Sequence, residues 1–275
     1  MRAYRTLIVS ASVILTLAIT VVPAGAAPKR LIIDGSTSML PLVQKLAAAY
    51  HKAFPQIPAP KVGGGQSGVG IEDAASGRVD IGDASRDPLP QDPHHLVFSK
   101  IARDGVCLIT NTANPLPNLS QETVQEIFTG RITDWSKVPG ASISGPIDLF
   151  DRDGASGTQD AFQDIFLGEA LKITPSATAE SSEGLEVSSV AADHSAIGFV
   201  SFAATINGGV HTVDYEGIPC TLPNAKSGQY GGVRNFWMVT KGTPKGEALK
   251  FIEWITKPGN TTVRAIVSSE WIAIH

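Results

Sequence analysis

Ile147-Asp148-Leu149-Phe150-Asp151-Arg152-Asp153-Gly154-Ala155-Ser156-Gly157-Thr158 changes character half-way along. An apolar run of strand length gives way to a turn of glycines and hydroxyls. Beyond it Ala161, Phe162, Ile165 and Phe166 recur at helical spacing and Gly168 closes the pattern. A strand that enters a helix through such a turn is the repeating unit of an α/β protein. The turn itself places hydroxyls and unpaired backbone N–H groups at a helix N-terminus, where the helix dipole favours an anion.

The same grammar recurs along the chain. Leu31–Ile33 reads as a buried strand, Gly35-Ser36-Thr37-Ser38 as the turn, and Leu42, Val43, Leu46, Ala47, Tyr50 and Phe54 as one helical face, with Pro41 tolerated in the first turn and Pro55 ending the pattern. A second turn, Gly63-Gly64-Gly65-Gln66-Ser67-Gly68, also precedes a helical pattern. Further short buried strands are expected at Val79–Ile81, Val106–Ile109, Ile197–Phe202 and Phe236–Val239. Ser120 can cap a helix carrying Val124, Ile127 and Phe128 and stopped by Gly130. A last helix is expected from about Lys245 to Thr256, burying Leu249, Ile252 and Phe251. The pattern predicts an α/β fold with largely parallel sheets and no internal repeat.

Composition narrows the function. The 275 residues are 43% hydrophobic and 17% charged, enough apolar material for one large core or two modest ones and too much for intrinsic disorder. Lys and Arg number 22 against 26 Asp and Glu, a net charge of −4, which argues against a nucleic acid or an anionic membrane held by bulk charge. Any bound anion must be held locally. Arg2 and Arg5 precede an uncharged run from Leu7 to Val22, and Ala24-Gly25-Ala26 follows, the pattern of a secretory signal cut after Ala26. The run is short for a spanning helix, which needs roughly 20 residues. Cleavage would remove both arginines and no acids, taking the net charge to −6. No cysteine near the cut offers a lipid attachment point. In an exported protein a Cys107–Cys220 disulfide is chemically allowed; two buried free thiols fit the sequence equally well. Two cysteines cannot form a disulfide framework or a zinc site, and no metal or cofactor is called for.

Two other readings compete. Gly63, Gly65 and Gly68 fit G-x-G-x-x-G, with Asp83 twenty residues beyond Gly63, but only Lys61 and Val62 separate the turn from Pro60, so the strand a dinucleotide site needs is weak. Ser156 lies in Gly154-Ala155-Ser156-Gly157-Thr158, where a hydrolase nucleophile elbow would carry glycine at 158, and neither His194 nor His211 stands in a context that marks a base. His94 and His95 sit in a Pro-rich stretch, as solvated loop residues do. Each turn taken alone is an ordinary helix cap; three of them, with Arg152 four residues before Ser156-Gly157-Thr158, point to an oxyanion whose edges match a guanidinium fork.

With these segments in place, nearly the whole of residues 27–275 resembles the periplasmic phosphate-binding proteins of ABC-type uptake systems, a type II periplasmic binding protein family. The most diagnostic stretch is Leu119-Ser120 through Ile127-Phe128-Thr129-Gly130-Arg131-Ile132-Thr133-Asp134-Trp135, joined by the three turns, by Val79-Asp80-Ile81-Gly82 leading to Ser85-Arg86, and by Ile197-Gly198-Phe199. The resemblance implies two α/β lobes, each a mixed sheet flanked by helices, hinged by crossover strands and closing over phosphate. One lobe would combine residues 27–108 with 212–275, and the other would span 109–211. By motif match, Thr37, Ser38, Ser67 and Arg86 would bind from the first lobe, and Arg152, Ser156, Gly157 and Thr158 from the second. The implied partners are inorganic phosphate and an ABC permease, served by a periplasmic or secreted monomer with no enzymatic step. Sulfate or molybdate, or a secreted scavenger or sensor without a permease, are the alternatives. In one respect the chain departs from the family. An acidic residue often stands where this chain has Arg86; it accepts phosphate's proton and so rejects sulfate. That role would fall to Asp83, Asp87 or Asp153. Gln159 likewise stands where many relatives carry a basic residue.

Overall fold

The computed structural model describes residues 29–206 and 208–274, so the expected signal segment lies outside the described residues. Ten strands are present among them: β1 (Ile32–Gly35), β2 (Lys61–Val62), β3 (Ile81–Ala84), β4 (Leu96–Asn111), β5 (Asn118–Leu119), β6 (Asp148–Arg152), β7 (Thr178–Glu180), β8 (Ala196–Ser201), β9 (Val210–Tyr215) and β10 (Val233–Lys241). The helices are α1 (Leu40–Ala53), α2 (Ser67–Ser76), α3 (Gln121–Phe128), α4 (Gly157–Phe162), α5 (Glu183–Ala192), α6 (Phe202–Thr205), α7 (Leu222–Ser227), α8 (Gly246–Thr256) and α9 (Thr261–Glu270). The strands run in the order β2-β1-β3-β10-β4-β8-β6-β7, with β9 paired to β4 and β5.

The sheet is mixed, as the resemblance implied, and less parallel than the residue pattern suggested. β1 pairs in parallel with β2 and β3, and β6 with β7 and β8. β10 is antiparallel to β3 and β4, and β4 to β8 and β9. The long strand β4 joins the two halves: Leu96 to Gly105 pair with β10, and Val106 to Asn111 pair with β8 and β9.

Two large apolar cores sit on either side of that crossing. The first collects Leu42, Val43, Leu46 and Tyr50 of α1 with Phe251 and Ile252 of α8, Val263 and Val267 of α9, and Trp271. The second collects Val124, Ile127 and Phe128 of α3 with Trp135, Phe162, Phe166 and Phe199. In it the Phe162 and Phe199 rings stack with centroids 3.9 Å apart and both side chains fully buried, each contributing about 1.5–3 kcal/mol of burial. The apolar faces of α1 and α3 fall where the periodicity placed them, and Ser120 caps α3 by accepting from Thr123 N.

Val213, Tyr215, Cys220, Ala225 and Tyr230 pack in the second core, past the expected boundary at residue 212. The cause is β9, which pairs with the far end of β4. Cys107 and Cys220 are joined by a disulfide inside that core, which removes the free-thiol alternative. The C-terminal expectation was also incomplete: α8 buries Ala248, Phe251, Ile252 and Ile255 and leaves Leu249 half-buried, and α9 follows it. α9 was hidden because Thr261-Thr262-Val263 opens it with β-branched residues; Asn260 caps it by accepting from Val263 N.

Candidate functional site

All three turns meet where the lobes face each other. The Gly35–Ser38 turn leads from β1 into α1, the Gly63–Gln66 turn from β2 into α2, and the Arg152–Ser156 turn from β6 into α4. Helix α2 can press against β1 because Gly70 has no side chain; a Cβ there would overlap the Asp34 carbonyl and Gly35.

Their hydroxyls form one buried cluster. Ser36 Oγ lies 2.9 Å from Ser38 Oγ and donates to Ser85 Oγ at 2.9 Å. Ser38 Oγ donates to Ser85 Oγ at 3.2 Å, and Ser67 Oγ lies 3.3 Å from it. From the opposite lobe Thr158 Oγ1 comes within 3.3 Å of Ser38 Oγ. At Gly157 the lobes press so close that a methyl group would overlap the Ser67 hydroxyl. Around this point the Gly68 N–H donates to the Ala155 carbonyl at 2.9 Å, and Gln66 Nε2 donates to Asp153 Oδ2 and the Ser181 carbonyl, both at 2.6 Å.

The arginines divide by what already holds them. Arg152 is buried, with Nε donating to the Glu180 carbonyl at 3.0 Å and Nη2 to Thr37 Oγ1 at 3.3 Å across the lobes. Its Nη1 has no hydrogen-bond partner among the described residues. Glu186 lies 3.8 Å from its Nε; burial pushes that carboxyl up to about 8, against the Phe199 N–H and the Arg152 charge. Arg86 is differently placed. Its Nη1 and Nη2 donate to the two oxygens of Asp92 at 2.8 and 2.7 Å, and its Nε lies 2.8 Å from Asp160 Oδ2 on α4. The guanidinium is thus held by two carboxylates, one from each lobe, and makes no bond to the hydroxyl cluster. Burial acts to raise Asp92, but the Arg86 bonds and the Leu89 N–H outweigh it and hold that carboxyl below its usual range.

Of the expected residues, Ser38, Ser67, Gly157 and Thr158 meet in the cluster, with Thr37 and Arg152 joined at its edge. Ser156 is buried nearby, but its hydroxyl caps α4 by accepting from Gln159 N at 3.3 Å. Of the three acids named as proton readers, Asp87 accepts from Asn235 Nδ2 and Trp237 Nε1, and Asp153 from Gln66 and the Ala155 N–H. Asp83 alone is buried with neither carboxyl oxygen partnered among the described residues, and burial raises it to about 8.

Sequence reasoning missed Ser36, Ser85 and Arg234. Ser36 and Ser85 stood inside quoted motifs and could have been read from them. Arg234, which donates from Nη1 to Thr158 Oγ1 at 2.7 Å, lies on a strand with no local motif. The hydrolase alternative finds no support in this geometry: Ser156 serves as a cap, and His211 Nε2 is bonded to the Leu116 carbonyl.

A model of the PBP superfamily domain matches residues 22–258. The chain belongs to that superfamily. Among solved structures, this PBP-superfamily chain is similar to a Clostridium perfringens protein described as a phosphate ABC transporter substrate-binding protein with bound phosphate, at 30% identity and a TM-score of 0.82, covering 90% of this chain and 100% of that one. An ABC-type phosphate transport receptor from Vibrio cholerae matches at 26% identity and a TM-score of 0.70, covering 88% and 99%. The phosphate-binding protein PstS of Bacillus subtilis is 28% identical over 229 residues, 82% of this chain and 74% of that protein. The match to PstS 2 of Streptococcus agalactiae is 34% identical but spans only 36% of that relative's length. The resemblance read from the motifs is therefore shown at the level of family and fold.

Proposed function

We propose that this protein captures inorganic phosphate between its lobes outside the cytoplasmic membrane and presents the closed form to an ABC permease. The observation that carries this reading is the buried meeting of hydroxyls from both lobes beside an arginine whose Nη1 has no hydrogen-bond partner among the described residues. A dehydrated tetrahedral anion needs a donor for each oxygen, and each charge-assisted bond is worth about 1.5–3 kcal/mol. The names of the Clostridium, Vibrio and Bacillus relatives support phosphate over other oxyanions. Binding requires no covalent chemistry. Contacts such as Ser38 to Thr158 and Gly68 to Ala155 exist only when the lobes meet, so a ligand gripping both sides shifts the population toward closure. Among the described residues no helix is long and apolar enough to cross a membrane.

Titration calorimetry with phosphate, arsenate, sulfate and molybdate on stripped protein tests this. Heat with phosphate and arsenate at concentrations where sulfate and molybdate give none is expected. Saturable binding of sulfate or molybdate in preference to phosphate would replace the ligand, and no heat with any of the four would overturn the reading.

A further inference from the structure

The two strands that carry the chain between the lobes hold a buried ion pair. β4 and β10 run antiparallel there, with Arg234 in register opposite Asp104. Arg234 Nε and Nη2 both donate to a single oxygen, Asp104 Oδ2, at 3.2 and 2.9 Å, and the two side chains are 2% and 0% exposed. The remaining nitrogen, Nη1, is not used by the aspartate. It donates instead to Thr158 Oγ1 at 2.7 Å and to Ser85 Oγ at 3.3 Å, hydroxyls of opposite lobes that both belong to the central cluster.

We propose that Arg234 is a second arginine of the anion site, reaching a ligand oxygen through Nη1 from the hinge, and that Asp104 is a positioning residue that orients Arg234 and offsets its charge. The inference rests on the oxyanion reading and adds a binding group that the motifs did not contain. A purely structural arginine would be satisfied by the fork-to-fork pairing that guanidinium and carboxylate prefer. Here both shared donors fall on one carboxylate oxygen, Asp104 Oδ1 has no hydrogen-bond partner among the described residues, and the free end of the fork points among hydroxyls. Hydroxyl oxygens are weaker acceptors for a guanidinium than an oxyanion, so a ligand among Ser85, Ser38 and Thr158 would take the Nη1 bond in preference. The arrangement also suits a protein of net negative charge. Arg234 with Asp104 presents directed donors without adding net charge, whereas Arg152 supplies attraction. Because it stands on a crossover strand, Arg234 is in reach of Ser85 on one lobe and Thr158 on the other at once.

The test titrates phosphate, arsenate, sulfate and molybdate into the parent protein, Arg234→Met, Arg234→Lys, Asp104→Asn and the double variant Asp104→Leu/Arg234→Met, with thermal melts on each. The double variant removes the pair together, which proteins tolerate better than stranding one buried charge, so it keeps the question open to measurement if a single variant does not fold. Arg234→Met and the double variant are expected to bind phosphate at least about tenfold more weakly than the parent, with Arg234→Lys intermediate, because a lysine head cannot serve Asp104 and the ligand together. Asp104→Asn is expected to move binding in the opposite sense, strengthening phosphate and sulfate alike, since the full guanidinium charge is then presented to the anion. A purely structural pair would not produce these opposite signs. A folded double variant that binds phosphate within about twofold of the parent overturns the inference and leaves the oxyanion reading standing. A parent that binds none of the four anions overturns both.

Discussion

Ser67, at the start of α2, and Gly157, at the start of α4, come from different lobes and stand so close that no side chain fits between them. The surfaces around them are matched by backbone and amide bonds, Gly68 to Ala155 and Gln66 to Asp153. Closure is therefore limited by a glycine.

Gly157→Ala should prop the lobes apart. Overpacking at a tight contact costs about 1–3 kcal/mol, and here the cost falls on the closed state and not on either core. The expected result is phosphate affinity weakened by about tenfold or more with an unchanged melting temperature for the ligand-free protein, and a larger radius of gyration by small-angle scattering in the presence of phosphate. Parent-like affinity would show that α2 yields to the extra methyl.

Arg152→Met removes the group whose Nη1 has no partner among the described residues and whose Nη2 bonds Thr37. Loss of a charge-assisted contact should reduce phosphate binding by at least about 2 kcal/mol in calorimetry. Glu186 would then be left buried without the arginine beside it, so its carboxyl is expected to stay protonated over a wider pH range. An unchanged dissociation constant would remove Arg152 from the site.

Asp83 and Glu186 set the pH dependence of stability. Burial raises both to about 8 in the folded protein, whereas in the unfolded chain they titrate near the ordinary carboxylate values. The folded state then binds more protons than the unfolded state between roughly pH 4 and 8, so the stability these groups contribute is full below about pH 4 and is lost as pH rises through about 8. Asp92, held low by Arg86, works in the opposite direction only at the acid end, where its protonation removes an ion pair. Thermal melts of ligand-free protein should fall from pH 5 to pH 8.5, and Asp83→Asn should flatten the fall. A parent melting temperature that rises over that interval contradicts the assignment.

The Cys107–Cys220 bridge closes a sequence separation of 113 residues within the second core. Constraining the unfolded chain over a loop of that length is worth up to about 4.7 kcal/mol in the chain-entropy account, and measured values are commonly about 2–4 kcal/mol. Reduction, or the Cys107→Ser/Cys220→Ser pair, should lower the denaturant midpoint accordingly while leaving phosphate affinity within about twofold. Equal midpoints for oxidised and reduced protein would show that the unfolded chain gains nothing from the missing bridge.

Most of the architecture was legible because each βα turn announces itself locally: β1 into α1 and β6 into α4 combine an apolar run, a hydroxyl-glycine turn and a 3.6-residue face. What escaped detection was of long range. The first half of β4 carries Lys100, Arg103 and Asp104 at positions where a buried strand would read as apolar, because its partners across β10 include the charged Arg234. No spacing rule links residues 104 and 234. β9 was not read from the sequence at all, since its pairing with the far end of β4 is fixed by topology and not by its own residues. In the site, the hydroxyl residues were readable as helix starts, whereas the role of Arg86 depends on Asp160, a residue of the other lobe that looks like any acid in the first turn of a helix.

Arg86 provides the last expectation. Its guanidinium is held by Asp92 in one lobe and Asp160 in the other, with only 6% of the side chain exposed. Phosphate would have to compete with two carboxylates for it. Arg86→Met should therefore act on the protein before it acts on the ligand: stranding Asp92 should cost about 1–3 kcal/mol of stability, and loss of the Asp160 link should weaken all oxyanions alike by favouring the open form. The ratio of phosphate to sulfate affinity should stay within about twofold of the parent value, because a guanidinium has no acceptor for phosphate's proton. A selective loss of phosphate in this variant, with sulfate unchanged, would place Arg86 on the ligand.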